Sequence, residues 1–325
     1  MQRAAILGCP MQKLFRDASG GVLFPQGSVL TIGAFDGVHR GHRALLEAAR
    51  NDARARGLPL AALSFEPLPR QFFAGRERVV RLSTPRQKFC ELIFFADAVG
   101  LLRFNASLAT MSATGFVESV LLARLRARSV WVGPDFRFGR GRAGDVELLR
   151  TLGTGQGFDV SSIANLCDGD DRISSSAIRA ALAAGDFERA TRLLGRPFRM
   201  SGHVVHGQQL GRKLGYPTAN LPILHGQAPV AGIYAVRVSG AGLDDMPGVA
   251  SLGTRPTVGG VEPILEAHLF DWTGDLYGQR IEVEFVAHLR DEAHFADLDA
   301  LVAQMHRDAA QARAVLSSTP ERAYA

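Results

Sequence analysis

The chain has 325 residues, 46% of them hydrophobic and 21% charged, a composition typical of globular proteins and sufficient for two hydrophobic cores. Its three cysteines, Cys9, Cys90 and Cys167, are too far apart for a CxxC pair, which excludes a zinc ribbon and favours a reducing cytoplasm. No apolar stretch approaches the ~20 residues of a membrane helix, so we expect no membrane partner. The net charge of +5 suits phosphate-bearing ligands, and no dense basic run favours nucleic acid.

Short apolar runs alternate with helical patterns in the first half of the chain. Val29–Ile32 predicts a buried strand, a helix is predicted to follow it and to end at Gly57, and further strands are predicted within 58–65, 97–104 and 129–136. Between the last two strands, Ser112 or Thr114 is expected to cap a helix. This β-α alternation predicts an α/β domain with a doubly wound parallel sheet.

After Gly195 the pattern changes to short strands separated by Gly and Pro turns, which predicts an antiparallel barrel or sandwich. The segment 291–316 predicts one long helix packed on the barrel, with an apolar stripe of Phe295, Leu298, Leu301, Val302 and Met305. The boundary is predicted near Ala190, which divides the chain into domains 1–189 and 190–325.

The stretch GAFDGVHRGH, Gly33 to His42, follows the first strand and precedes the first helix. A strand that ends in glycines before a helix presents backbone N–H groups and the helix dipole to an anion. Gly37 and Gly41 allow close approach of a phosphate, while His39 and His42 are predicted to project from the same side. Imidazoles beside a phosphate are expected to be protonated and to stabilise charge during its transfer. The alternative is a glycine turn with two solvent-facing histidines.

Hydroxyl groups also precede a predicted helix at Ile173–Leu182, with Arg179 one turn further on. The serines of this stretch either cap the helix or bind phosphate groups together with the arginine. The residue types alone do not choose between these two roles.

A second glycine-spaced loop, GQQLGRKLGYPTAN, covers Gly207 to Asn220. It does not fit the P-loop pattern. Arg212 and Lys213 are suited to nucleotide phosphates, and Thr218 and Asn220 offer oxygen ligands to Mg²⁺. Taken alone, the stretch is equally well a surface turn.

Strand alternation places Leu265, Ala267 and Leu269 on one face and Glu266, His268 and Phe270 on the other. If the apolar face packs on the core, Glu266 points toward a ligand or toward solvent.

Several stretches resemble, in the same order, the motifs of prokaryotic bifunctional riboflavin kinase/FAD synthetases. Gly33–His42 is similar to the HxGH signature of nucleotidyltransferases, and SFEPLPRQFF (64–73), VGPDFRFGRGRAGD (132–145) and ISSSAIRAAL (173–182) are similar to the family's further adenylyltransferase motifs. PTAN is the hallmark of riboflavin kinases, and residues 248–257 and 266–285 also resemble the kinase module.

This resemblance implies an N-terminal nucleotidyltransferase domain of the doubly wound type, followed by a C-terminal antiparallel β-barrel domain with a C-terminal helix. The barrel would phosphorylate riboflavin to FMN with ATP, and the N-terminal domain would transfer AMP from ATP to FMN, giving FAD and pyrophosphate. Mg²⁺ is the implied cofactor. Small molecules, namely ATP, riboflavin and FMN, are the implied partners, and neither nucleic acid nor membrane is expected.

The resemblance also implies roles for individual residues. His39 and His42 would act in adenylylation, and Glu266 would be the general base that takes the proton of the ribityl hydroxyl. Predicted nucleotide ligands in the N-terminal domain are Gly33, Phe35, Asp36, Gly37, Gly41, Asp135, Arg137, Ser175, Ser176 and Arg179. Those in the C-terminal domain are Gly207, Gly211, Arg212, Lys213, Pro217, Thr218 and Asn220, of which Thr218 and Asn220 would also bind Mg²⁺.

The chain departs from the family pattern at Ser176, where threonine is commoner, and at Ser251, where asparagine is commoner. Met11–Arg16 resembles the start of such proteins, so residues 1–10 are expected to be an extension.

Three alternative functions stay open. They are a class I aminoacyl-tRNA synthetase, whose lysine-rich second signature is absent, a monofunctional FAD synthetase with an inert barrel, and a nucleic-acid-binding regulatory protein on the same scaffold. The sequence does not set an oligomeric state.

Overall fold

The computed structural model describes residues 14–74, 79–207, 210–223, 228–257 and 260–318. The described chain forms two units. The first contains the residues up to Val79 and Pro85–Ser175, and the second contains Val80–Thr84 and the residues from Ser176 onwards. The functional boundary near Ala190 stays a prediction, and the expected extension at residues 1–10 lies outside the described residues.

A six-stranded parallel sheet is the centre of the first unit. Its strands lie in the order β1-β4-β3-β2-β5-β6, so the direction of winding reverses between β2 and β5 and the predicted doubly wound sheet is confirmed. The elements are β1 (Leu14–Phe15), β2 (Ser28–Ile32), α1 (Arg40–Arg56), β3 (Leu60–Glu66), α2 (Pro69–Ala74), α3 (Pro85–Leu92), β4 (Ala98–Arg103), α4 (Ala106–Thr110), α5 (Ala113–Phe116), β5 (Ala127–Val132), α6 (Val146–Gln156), β6 (Asp159–Ser162), and a short hairpin of β7 (Cys167–Asp168) and β8 (Asp171–Arg172).

Local sequence explains where these helices begin and end. Gly57 ends α1 in the left-handed conformation with φ 64°, as predicted. Ser112 caps α5, because its side-chain oxygen accepts a hydrogen bond from the Gly115 N–H at 3.0 Å. Beyond α5 the chain continues as a π-helix over Val117–Arg124, which the helical pattern did not predict.

A six-stranded antiparallel sheet forms most of the second unit. Its order is β10-β13-β12-β11-β14-β9, and a bridge between Val205 and Asn220 connects its two ends, which gives the predicted barrel. The elements are α7 (Ser175–Ala183), α8 (Phe187–Leu194), β9 (Arg199–His203), α9 (Leu210–Lys213), β10 (Ala219–Pro222), β11 (Gly232–Gly240), β12 (Leu243–Thr257), β13 (Gly260–Leu269), β14 (Arg280–Arg290) and α10 (Leu298–Ser318).

The C-terminal helix begins later than predicted. It begins at Leu298 instead of residue 291, because the Asp297 carboxylate accepts a hydrogen bond from the Ala300 N–H at 2.7 Å. Ala312 and Leu316 continue the predicted stripe at helical spacing and are buried against the barrel, whereas Leu298 in the first turn is 56% exposed. Within the described ranges, no helix is long and apolar enough to cross a membrane.

Candidate functional sites

The first site is a pocket of about 300 Å³ at the carboxyl ends of β2, β5 and β6, which we call the histidine pocket. Its walls are the loops that follow these strands, at the position where ligands bind in open α/β sheets. Seven of the residues predicted to act in adenylylation line it. They are Gly33, Phe35, His39, Gly41, His42, Asp135 and Ser175.

The two histidines of the pocket stack on each other. Their ring centroids are 3.6 Å apart with an interplanar angle of 17°, and the Phe35 ring meets the edge of His42 at 5.1 Å. His39 caps α1, because its Nδ1 accepts a hydrogen bond from the His42 backbone N–H at 3.3 Å. Since an accepting nitrogen carries no proton, the proton of neutral His39 lies on Nε2, which is then a donor. A Cβ on Gly41 would lie 3.3 Å from the His39 ring, so glycine preserves this stack.

The surroundings of His42 disfavour its protonation, and the expected protonation beside a phosphate stays a prediction. Burial, followed by the charges of His39 and Lys88, lowers the pKa of His42 well below its usual value. The His42 Nδ1 atom is enclosed and has no hydrogen-bond partner among the described residues. The pocket therefore offers a neutral imidazole with one unsatisfied nitrogen, in contrast to a preformed cation.

The other predicted residues of the N-terminal site lie around the pocket. The Asp36 carboxylate is buried and pairs with Arg70 at 3.1 Å, and Gly37 has a φ of 85°. Ser175 donates a hydrogen bond to the Asp36 carbonyl at 2.9 Å, so its hydroxyl connects two loops instead of capping α7. Arg137 pairs with Asp145 at 3.0 Å.

Ser176 and Arg179 belong to the second unit. There the Arg179 Nε donates to the Val80 carbonyl at 3.0 Å, which fixes the guanidinium against the segment that precedes α3. The phosphate-binding role of both residues stays a prediction.

Two ion pairs near the histidine pocket escaped sequence reasoning. Arg172, which lines the pocket, pairs with Asp135, and Arg40 pairs with Asp168 at 2.6 Å. These pairs connect the β7–β8 hairpin to the first residue of α1 and to the loop that follows β5. No local pattern reveals them, because each pair joins residues that are far apart in the sequence.

An aromatic cluster at the same edge of the sheet was also missed. It consists of Phe65 in β3, Phe72 and Phe73 in α2, and Phe104 after β4. Ring centroids are 5.3 Å apart for Phe72 and Phe104 and 5.8 Å apart for Phe73 and Phe104, and Phe73 is 67% exposed. The sequence shows the two adjacent phenylalanines in PRQFF. That they are exposed could be learned only from the structure.

The second site is a cleft of about 290 Å³ on the outer face of the barrel, which we call the Glu266 cleft. Gly211, Thr218, Asn220 and Glu266 of the predicted residues line it. Its apolar wall includes Phe295, Leu301 and Met305. Part of the predicted apolar stripe of the C-terminal segment therefore faces this cleft.

Three polar side chains form a row across the strands that carry the cleft. Glu266 on β13 lies directly opposite Asn220 on β10 and opposite Ser251 on β12. Directly opposed residues of antiparallel strands have Cβ atoms about 4.5–5.5 Å apart, so these side chains are neighbours. Leu265 and Ala267 are fully buried on the other face, as strand alternation predicted.

The residues around Asn220 fit a hard cation. Asn220 is 5% exposed, and its Oδ1 has no hydrogen-bond partner among the described residues, while its Nδ2 donates to the Thr218 carbonyl at 3.1 Å. A buried oxygen without a donor is a suitable ligand for Mg²⁺, which also keeps waters and phosphate oxygens as ligands. A Cβ on Gly207 would lie 2.7 Å from this oxygen, so only glycine leaves the approach open.

The PTAN segment is held from two sides. The Tyr216 hydroxyl is hydrogen-bonded to His306 Nδ1 of α10 at 2.6 Å, and His268 Nδ1 donates to the Pro217 carbonyl at 2.9 Å. Near the other end of the cleft, the guanidinium of Arg290 binds the buried Asp308 carboxylate in a bidentate pair. These contacts connect β13 and β14 to the loop and to the C-terminal helix.

Arg212 is exposed, and the side chain of Lys213 lies outside the described side chains. The phosphate-binding roles of both residues stay predictions.

Sequence comparison gives each unit a family. The sequence model of the FAD synthetase family matches residues 23–177, and that of the riboflavin kinase family matches residues 194–316. A bifunctional riboflavin kinase/FMN adenylyltransferase of Escherichia coli (strain K12) is 47% identical over 289 residues, covering 89% of this chain and 92% of that protein. The protein of the same name from Pseudomonas fluorescens is 44% identical over 298 residues, covering 91% and 96%.

A solved structure from Streptococcus pneumoniae has the same fold over nearly the whole chain. Its TM-score is 0.78 at 29% identity, and the match covers 94% of this chain and 99% of that chain. That protein was named a macrolide-efflux protein, and we use the likeness for the fold alone. The ordered motifs, the two family matches and the identity to full-length relatives agree, and the chain belongs to the bifunctional riboflavin kinase/FMN adenylyltransferase family.

Proposed function

We propose that the histidine pocket is the site of FMN adenylylation and the Glu266 cleft the site of riboflavin phosphorylation. The observation that carries the assignment is the placement of the family motifs in two separate cavities, one in each unit. Family membership makes ATP, riboflavin, FMN and FAD the substrates and products of the two reactions.

In adenylylation, a phosphate oxygen of FMN attacks the α-phosphorus of ATP. The bond between the α-phosphorus and the bridging oxygen breaks, and pyrophosphate leaves. The protein's work is to align two anions and to stabilise the charge that develops, without a covalent intermediate. We assign the donor at His39 Nε2 and the unsatisfied Nδ1 of His42 to this task. Neutral His42 donates through one ring nitrogen only, and it donates through both after it takes up a proton, which a bound phosphate favours.

The aromatic cluster supplies a surface for the flavin of FMN. Phe65, Phe72, Phe73 and Phe104 lie at the edge of the sheet that also carries the histidine pocket. Exposed aromatic rings on a globular protein favour contact with a planar apolar ligand. We therefore place the isoalloxazine ring against this cluster, with the FMN phosphate directed toward the histidines.

In the Glu266 cleft, the 5′-hydroxyl oxygen of riboflavin attacks the γ-phosphorus of ATP and ADP leaves. Glu266 accepts the hydroxyl proton, and the apolar wall with Phe295 holds the flavin. Thr218 and Asn220 would hold Mg²⁺, which would neutralise charge on the ATP phosphates. The contacts of Tyr216 and His268 keep the PTAN segment in position for this role.

A double variant tests the histidine pocket. We expect His39→Ala with His42→Ala to abolish FAD formation, because both imidazoles leave the pocket, while FMN accumulates from riboflavin. Chromatography of flavins after incubation with riboflavin, ATP and Mg²⁺ measures both products. Undiminished FAD would refute the role given to the two histidines.

A single isosteric change tests the Glu266 cleft. We expect Glu266→Gln to abolish FMN formation, because the amide cannot take up the hydroxyl proton, and to leave adenylylation of supplied FMN near the wild-type rate. Initial rates of the two reactions on one preparation measure this. Equal loss of both activities would contradict the assignment of the two sites.

The alternatives are weaker. An inert barrel would not require the intact Thr218, Asn220 and Glu266 that line the cleft, and a steep salt dependence of oligonucleotide binding would be needed to support a nucleic-acid-binding protein. Both reactions consume ATP, so we infer that the protein acts in the cytoplasm.

A further inference from the structure

Lys88 of α3 is a lysine with no exposed side-chain surface. Burial of an ammonium group is costly unless partners compensate it, so lysine is rarely found in such a position. No motif of the two reactions includes this residue. Its contacts, however, lead directly to the histidine pocket.

The ammonium group lies at the carboxyl end of β3. Nζ donates hydrogen bonds to Ser64 Oγ at 3.2 Å and to the Phe65 carbonyl at 3.4 Å, and it is 3.7 Å from Glu66 Oε2. The Ser64 hydroxyl in turn donates to the Ala34 carbonyl at 2.9 Å. Ala34 belongs to the loop that contains His39 and lines the histidine pocket, so two hydrogen bonds connect the buried charge to this loop.

The charge of Lys88 also acts on the pocket directly. It contributes, after burial and His39, to the lowered pKa of His42. A positive charge that disfavours a second cation favours an anion at the same place. Glu66 forms an ion pair with Lys88 at 3.7 Å and is 22% exposed, so this carboxylate offsets part of the charge from a partly solvated position, whereas the ammonium is enclosed.

We propose that Lys88 is a positioning residue for FMN adenylylation, which holds the Ala34 loop through Ser64 and supplies a fixed positive charge behind the two histidines. This inference rests on the proposed function of the histidine pocket. A buried charge that does not reorganise during reaction stabilises developing negative charge more effectively than a solvated one. An apolar side chain of similar length would fill the same space without the free-energy cost of burying an ammonium group. The presence of the ammonium group therefore indicates that it has a function.

The test measures kcat and KM for FAD formation from FMN and ATP with the full chain. In Lys88→Met we expect kcat to fall roughly tenfold to hundredfold, with the KM values of FMN and ATP within about threefold of wild type. Riboflavin phosphorylation by the same preparation should be unchanged, which confines the effect to the first unit, and circular dichroism spectra and a urea unfolding curve like those of wild type show that this unit is folded. Lys88→Arg retains the charge and should recover a substantial part of kcat.

Two further variants separate the hydrogen-bond chain from the ion pair. We expect Ser64→Ala to lower kcat severalfold, because the Ala34 carbonyl loses its donor, and Glu66→Gln to stay within about threefold of wild type. If Lys88→Met does not fold, Lys88→Arg and Ser64→Ala still test the proposal. A wild-type kcat for Ser64→Ala would contradict it. An equal loss of both activities in Lys88→Arg would also contradict it.

Several results would overturn the inference. They are a kcat of Lys88→Met within twofold of wild type, a loss confined to KM, an equal loss in Glu66→Gln, and a parallel fall in riboflavin phosphorylation. The proposed function can fail separately. If His39→Ala with His42→Ala leaves FAD formation intact, the assignment of the pocket is wrong. If that variant is inactive and Lys88→Met is fully active, only the role of Lys88 is wrong.

Discussion

His42 is a histidine that the fold keeps neutral. Its ring is stacked on His39 and enclosed at Nδ1, so a proton there would meet a second imidazole and the nearby Lys88 ammonium. This arrangement makes charge on His42 dependent on an anion in the pocket. We propose that His42 gains its proton together with a bound phosphate, so that it does not repel His39 and Lys88 before the phosphate binds.

The lowered pKa of His42 predicts the direction of a stability change with pH. Below its usual value of 6.5 the unfolded chain binds a proton that the folded chain does not, so the free energy of unfolding falls as the pH falls. The contribution of this group is at most ~1.4 kcal/mol per pH unit. The His42→Asn variant lacks this pH-dependent loss of stability. As the pH falls below 6.5, its free energy of unfolding should therefore fall less than that of the wild type. Urea unfolding of both proteins across this range measures it, and a difference independent of pH would contradict the prediction.

Glycine is required by the backbone conformation at one position of this protein and is not required at another. Gly57 follows α1 with φ 64°, a conformation that disfavours any side chain. Gly155 lies within α6, and a Cβ added there would meet no atom within 4 Å. The first glycine is required by the backbone, and the second only adds flexibility to the unfolded chain.

A pair of alanine substitutions should therefore change stability in opposite directions. We expect Gly57→Ala to lower the free energy of unfolding by about 1 kcal/mol. Gly155→Ala should raise it by roughly 0.5–1 kcal/mol. Denaturant unfolding of the two variants gives both values, and each variant is the control for the other. A rise for Gly57→Ala would contradict the argument from its backbone conformation, and a fall for Gly155→Ala would contradict the argument from open space around it.

The two sites lie in separate units, so each can be altered without altering the other. The histidine pocket is built by a parallel sheet and the Glu266 cleft by an antiparallel barrel, and FMN is the product of one reaction and the substrate of the other. Damage to one site leaves the other as an internal control in the same preparation. The two activities should therefore be separable by mutation and recoverable by mixing.

A mixing experiment tests this independence. Neither the double histidine variant nor Glu266→Gln should make FAD from riboflavin, because each lacks one of the two reactions. A mixture of the two should make FAD, since FMN released by the first protein is adenylylated by the second. Chromatography of the flavins follows the reaction, and Glu266→Gln with added FMN is the positive control. A mixture no better than either variant would contradict the assignment of separate sites.

Local patterns were sufficient for much of the architecture. Alternating apolar runs and helical periods predicted the parallel sheet, Gly and Pro turns predicted the barrel, and Gly57 and Ser112 marked helix ends. These signals are local because strand and helix periodicity and capping depend on residues within a few positions of one another. The ordered motifs extended the prediction to the family, which the comparisons confirmed.

Contacts between distant residues had to come from the tertiary structure. The row of Asn220, Glu266 and Ser251 exists only through strand register, and the lowered pKa of His42 depends on burial, on His39 and, last, on Lys88, which is far away in sequence. Helical spacing predicted the apolar face of the C-terminal helix, but that Leu301 and Met305 line the Glu266 cleft and that Leu298 is exposed required the structure. Periodicity is encoded locally, whereas burial, register and electrostatic environment are properties of the assembled core.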